Sequence, residues 1–131
     1  MIDCAILGDS IAVGVSQQRP ECIRMATVGI SSMAYIQRFP RHVNSGNILI
    51  SLGSNDSSHV TTKTALETLR ERVHGQVTWL LSANNQAAHD IARAVAARFG
   101  DRVLEVRPVV SRDGVHPTTA GYRELANGWR N

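Results

Sequence analysis

Four short apolar runs punctuate the chain: "CAIL" at 4–7, "ILISL" at 48–52, "VTWLL" at 77–81 and "VLEV" at 103–106. A weaker fifth, "CIRMATV", covers 22–28. Most are continuous rather than alternating, as strands are when both faces of a parallel sheet are covered. The segments between them show helical spacing instead. In "TKTALETLRERVHG", Leu66, Leu69 and Val73 make one apolar stripe opposite a charged face, and Gly75 is expected to close the helix. In "QAAHDIARAVAARFG", Ala88, Ile91, Val95 and Phe99 repeat the stripe before Gly100. A shorter helix is expected over "SMAYIQRF", ahead of Pro40. A last one lies in "TTAGYRELANGW", with a Thr as its N-cap.

The order is therefore βαβαβαβαβα with short connections. Alternation of this kind builds a three-layer α/β/α sandwich, because parallel crossovers are right-handed and put helices on both faces. Five strands predict a five-stranded parallel sheet in flavodoxin-like order, with ligands at the carboxyl ends of the strands. With no linker, repeat or low-complexity segment, residues 1–131 read as one domain, a size that suits a single core.

The predicted strand ends converge on one kind of chemistry. The first strand stops in Gly8-Asp9-Ser10, the second near Gly29, the third in Gly53-Ser54-Asn55-Asp56, the fourth at Asn84-Asn85, and the fifth precedes "SRDGVHPTTAGY". A serine hydroxyl attacks an acyl carbon well only when a neighbouring base takes its proton. His116 is the candidate base, and Asp113, three residues earlier, can hold its Nδ1–H. Gly114 would permit the bend between acid and base, and Pro117 would stiffen the loop. An oxyanion hole is available from the Ser10 N–H at a helix start, the Gly29 N–H and the Asn55 side-chain amide. Asn84 and Asn85 are weaker candidates for substrate contact, matched by a plain reading as turn residues.

Charge and cysteine content narrow the partners. The net charge is +3, but Lys63 is the single lysine, the arginines are scattered, and no basic run or aromatic interleaving marks a nucleic-acid groove. No apolar stretch approaches the roughly 20 residues that span a bilayer. Asp3 stands where a signal peptide would carry positive charge, so the expectation is a cytoplasmic chain on synthesis. Cys4 and Cys22 fit neither a metal motif nor a disulfide framework, and two reduced thiols are expected. His42, His59, His74 and His89 are expected at the surface, Trp79 in the core, and Trp129 against the last helix.

Taken in order, Gly8-Asp9-Ser10, Gly29, Gly53-Ser54-Asn55-Asp56 and Asp113-Gly114-Val115-His116-Pro117 resemble the four sequence blocks of the SGNH (GDSL) hydrolases. The match runs from residue 8 to about 122, nearly the whole chain. The resemblance implies Ser10 as nucleophile, His116 as base and Asp113 as its orienting acid. It also implies an oxyanion hole of Ser10, Gly29 and Asn55, and no metal or other cofactor. The family holds esterases, lipases, thioesterases and carbohydrate acetylesterases. Many members carry insertions between blocks that wall a substrate pocket, and this chain is too short for them. A small acyl group, acetyl foremost, on a small ester or a saccharide is therefore the expected substrate.

Other readings compete with this one: a thioesterase or short-chain lipase, a silent glycan-binding module on the same scaffold, and a metal-dependent hydrolase using Asp9, Asp56, Asp113 and His116. For Asp9 and Asp56, a role in shaping their loops is the plainer expectation.

Overall fold

The computed structural model describes residues 3–130. Five strands alternate with five helices: β1 Cys4–Gly8, α1 Ser10–Gln18, β2 Ile23–Ala26, α2 Ser32–Arg38, β3 Val43–Ser51, α3 His59–Arg72, β4 Val73–Leu81, α4 Gln86–Phe99, β5 Arg102–Glu105 and α5 Thr119–Arg130. The sheet runs β2-β1-β3-β4-β5 with every neighbouring pair parallel, the flavodoxin-like order expected from the sequence. Alternate strand residues feed two cores. Leu7, Ile48, Ile50, Trp79 and Leu81 pack with α2, α3 and α4, whereas Ile6, Leu49 and Leu80 pack with α1 and α5. Each such buried side chain contributes about 1.5–3 kcal/mol. Among the described residues, no helix is long and apolar enough to cross a membrane.

Three sequence expectations need correction. Val73 and Gly75 belong to β4, not to the end of α3, so that helix has no glycine cap. Gly75 lies where β3 bulges between Asn44 and Asn47, and a Cβ there would stand 1.8 Å from the Ser45 carbonyl oxygen. Tertiary pairing thus overrode the helical spacing.

Cys4 and Cys22 are joined in a disulfide rather than reduced. Register explains it: Ala5 pairs with Ile23 across β1 and β2, which brings Cys22 beside Cys4 with Cα atoms 4.8 Å apart. That spacing lies within the range a disulfide spans without backbone movement.

His89 is not a surface residue. Its side chain is 12% exposed, with Nδ1 on Asp90 and Nε2 on Glu105. Trp79 and Trp129 are buried as expected, the latter beneath the Arg19 guanidinium.

Candidate active site

β1 can stop abruptly because Gly8 takes φ +138°, and a Cβ at that position would fall 1.8 Å from the Ser51 carbonyl oxygen. The chain then turns on two backbone bonds, Asp9 N–H to Ser51 O and Thr27 N–H to Gly8 O, each 2.9 Å. Asp9 caps α1, its Oδ1 accepting from Ile11 N–H at 3.0 Å and from Ser51 Oγ at 3.0 Å. Its side chain is fully buried, and burial pushes its pKa up to about 6 in spite of these bonds. Ser10 thereby becomes the first residue of α1, half-buried at the helix N-terminus.

The other half of the site comes from the loop before α5. Thr118 caps that helix, its Oγ1 accepting from Gly121 N–H at 2.9 Å. Val110 and Pro117 form an antiparallel bridge, and Ser111 N–H donates to His116 O at 2.7 Å, closing the loop on itself. Inside it, Asp113 Oδ1 accepts from Val115 N–H and His116 N–H, both at 2.8 Å, and from Ser111 Oγ at 3.1 Å. Asp113 Oδ2 meets His116 Nδ1 at 2.8 Å. These bonds, the Val115 N–H foremost and the His116 ring next, hold the Asp113 carboxyl well below the usual carboxylate range. A carboxylate on Nδ1 fixes the proton there, which leaves Nε2 as an acceptor. Ser10 Oγ lies 2.8 Å from that Nε2.

The three side chains therefore stand in one hydrogen-bonded row. Asp113 and His116 are 49% and 44% exposed, so water reaches the row directly.

The remaining predicted residues rim the same strand ends. Gly29 takes φ +79° with nothing within 4 Å of where a Cβ would lie, so the glycine is needed for its backbone conformation and not for lack of room. Asn55 Nδ2 donates one hydrogen to Ile30 O at 3.1 Å, which ties it beside Gly29 and leaves its second hydrogen available. Asp56 strengthens the tie, accepting from Ser32 N–H at 2.8 Å and from Thr62 Oγ1 at 2.6 Å. It shapes the loop, as the sequence led one to expect. Asn85 caps α4 through Ala88 N–H and donates to the carbonyls of Gly53 and Asp56. Asn84 accepts from Ser82 Oγ and donates to Ser54 O. Both asparagines are thus engaged in holding the rim.

Asp9, Asp56, Asp113 and His116 do not converge on a common point, and among the described residues the one group of three such side chains close enough for an ion is Cys4, Glu21 and Cys22, whose two sulfurs are bridged to each other.

Sequence reasoning missed Ser51 and Tyr122. Ser51 was legible as a hydroxyl inside the apolar run "ILISL". Tyr122 left no such signal, since an aromatic residue on an amphipathic helix reads as core.

No model of a protein family matches the chain, and no match was found among curated proteins. Solved structures do align with it. An inhibitor-bound aryl esterase from M. smegmatis superposes with a TM-score of 0.67 at 15% identity, covering 97% of each chain. The C-terminal catalytic domain of a Streptococcus pneumoniae peptidoglycan O-acetyltransferase, carrying a methylsulfonyl adduct, gives 0.57 at 13% identity over 96% of this chain and 89% of its own. The chain thus has the fold of these two acyl-handling proteins, the α/β sandwich that its likeness to SGNH hydrolases implied.

Proposed function

We propose that the protein is a serine esterase that removes a small acyl group, acetyl foremost, through an acyl-enzyme. The observation that carries this reading is the row from Ser10 Oγ to His116 Nε2 and from His116 Nδ1 to Asp113, with 2.8 Å at each step. Ser10 Oγ attacks the ester carbonyl carbon while its proton passes to His116 Nε2. Asp113 stabilises the imidazolium that forms. The Ser10 and Gly29 N–H groups and the Asn55 amide receive the tetrahedral oxyanion, each donor worth about 3–4 kcal/mol. Collapse breaks the bond to the leaving alcohol, which departs with the proton from Nε2. Water then attacks the acyl-serine, gives its proton to the same nitrogen, and the acid leaves as Ser10 regains its hydrogen.

The exposure of His116 and Asp113 favours water as the acceptor. The O-acetyltransferase neighbour supports a second reading, in which an alcohol takes that place. The short loops at the strand ends favour a small acyl group, and the two structural neighbours support acyl chemistry on this scaffold.

A panel of p-nitrophenyl esters from acetyl to long acyl, run beside acetylated sugars, tests the reading. Turnover should fall steeply with acyl length, Ser10→Ala should abolish it, and a sulfonyl fluoride should label Ser10. A folded protein that takes no label and hydrolyses no acetyl ester would overturn it. Release of an acetylated alcohol, when one is added, would mark the transferase. Glycan binding without hydrolysis would mark a silent module.

A further inference from the structure

We propose that the ring of Tyr122, which fills the space a side chain on Gly14 would take, is the positioning contact that sets His116 within reach of Ser10; the inference rests on the acyl-transfer reading above. Ser10 and Gly14 are one helical turn apart on α1 and share a face. A Cβ on Gly14 would stand 2.2 Å from Tyr122 Cε1 and 2.3 Å from Cζ. The ring therefore occupies the space where any other residue would put its side chain. Glycine inside a helix costs about 1 kcal/mol relative to alanine, and the close approach of α5 is what this chain obtains in return.

The catalytic loop rides on α5 as one body with it. Gly121 backs onto both arms of the loop: a Cβ there would meet Val109 O at 2.6 Å, Val109 Cβ at 2.8 Å and Pro117 Cβ at 3.2 Å. Thr118 N–H adds a bond of 3.0 Å to Val109 O. The bonds that Asp113 makes to Ser111, Val115 and His116 orient the imidazole inside this body, but they do not fix its distance from α1. That distance is set where α5 meets α1, and there the Tyr122 ring fills the space a side chain on Gly14 would take. The phenol is pushed up by burial, with the Asp9 and Asp113 carboxylates adding to the effect.

The test is Gly14→Ala. A methyl group and the ring cannot share that space, and the proposal expects α5 and the loop to shift outward together instead of the ring turning away. A displacement near 1 Å at a reacting group can cost up to about a hundredfold. We expect kcat on p-nitrophenyl acetate to fall about 10–100-fold with KM within about twofold. The midpoint of the pH–rate profile should not move, because the bonds inside the loop persist. A solved structure of the variant should show Ser10 Oγ and His116 Nε2 beyond hydrogen-bond reach. Adding Tyr122→Ala should recover part of the lost kcat, a non-additivity expected only of residues in contact. Should Gly14→Ala fail to fold, Tyr122→Leu, which adds no clash, should lower kcat with KM unchanged.

Parental kcat in a folded Gly14→Ala, an unchanged 2.8 Å separation in its structure, or parental kcat in Tyr122→Leu would each overturn the inference. A Ser10→Ala variant as active as the parent would sink the acyl-transfer reading itself. A dead Ser10→Ala beside a fully active Gly14→Ala would remove only the seating contact.

Discussion

Ser51 Oγ donates to one oxygen of the Asp9 carboxyl at 3.0 Å, while the other oxygen is buried with no partner among the described residues. That half-satisfied acid makes stability depend on pH. In the unfolded chain the group loses its proton near 3.8, whereas in the fold it keeps it to about 6. Between these values the native state holds the extra proton, so this group's contribution falls as pH rises. The loss reaches about 3 kcal/mol above pH 6. Asp9→Asn removes the dependence. Urea unfolding at pH 4 and pH 7 should show the variant gaining on the parent by about that amount, and a gain at pH 4 instead would contradict the assignment.

Asp113 behaves in the opposite sense. Its carboxyl stays ionised well below the usual range, so activity lost between pH 7 and pH 4 does not come from its protonation. Asp113→Asn should cut kcat by on the order of 10²–10⁴, since the amide no longer holds the proton on His116 Nδ1. Unfolding measured in parallel should show the variant folded. A loss of less than about threefold would deny the carboxylate its part.

The Cys4–Cys22 bridge closes a loop across 18 positions that contains Ser10. Cross-links of that span contribute about 3 kcal/mol by restricting the unfolded chain. Reduction, or replacement of both cysteines by alanine, should lower Tm by about 10 °C. An oxidised protein that reacts with no thiol reagent even when unfolded would confirm the pairing, and two titratable thiols would refute it.

Asp101 is an acid whose removal should cost stability. It accepts from Arg70 Nε at 2.7 Å, Arg70 Nη2 at 2.9 Å and Trp79 Nε1 at 3.0 Å, with both charged side chains largely buried. Asp101→Ala strands a guanidinium that also lies over the Phe99 ring. Destabilisation of about 3–5 kcal/mol is expected in denaturant, with no effect on kcat once folded.

The sheet order and the meeting of Ser10 with Asp113 and His116 were legible because α/β alternation brings every strand's carboxyl end to one rim, and the signals that mark those ends are local. Each strand end announces itself where an apolar run meets a glycine or a hydroxyl, and the Asp113-to-His116 spacing lies within one loop. What escaped depends on register between distant segments. Val73 and Gly75 fit a helical stripe until β4 pairs with β3. Cys4 and Cys22 read as separate thiols until Ala5 is set against Ile23. His89 looks like a surface residue until β5 delivers Glu105 beside it. Tyr122 gains meaning only from the bare backbone of Gly14 on another helix.

The 106 positions between the Ser10 hydroxyl and the His116 imidazole mean that their hydrogen bond exists only in the assembled fold. No isolated segment carries the row, because the alcohol begins α1 and the ring lies on the loop before α5. On the acyl-transfer reading, a nicked chain whose final helix has come away would keep Ser10 without its base. On the esterase reading, such damage is expected to abolish turnover and not to loosen it.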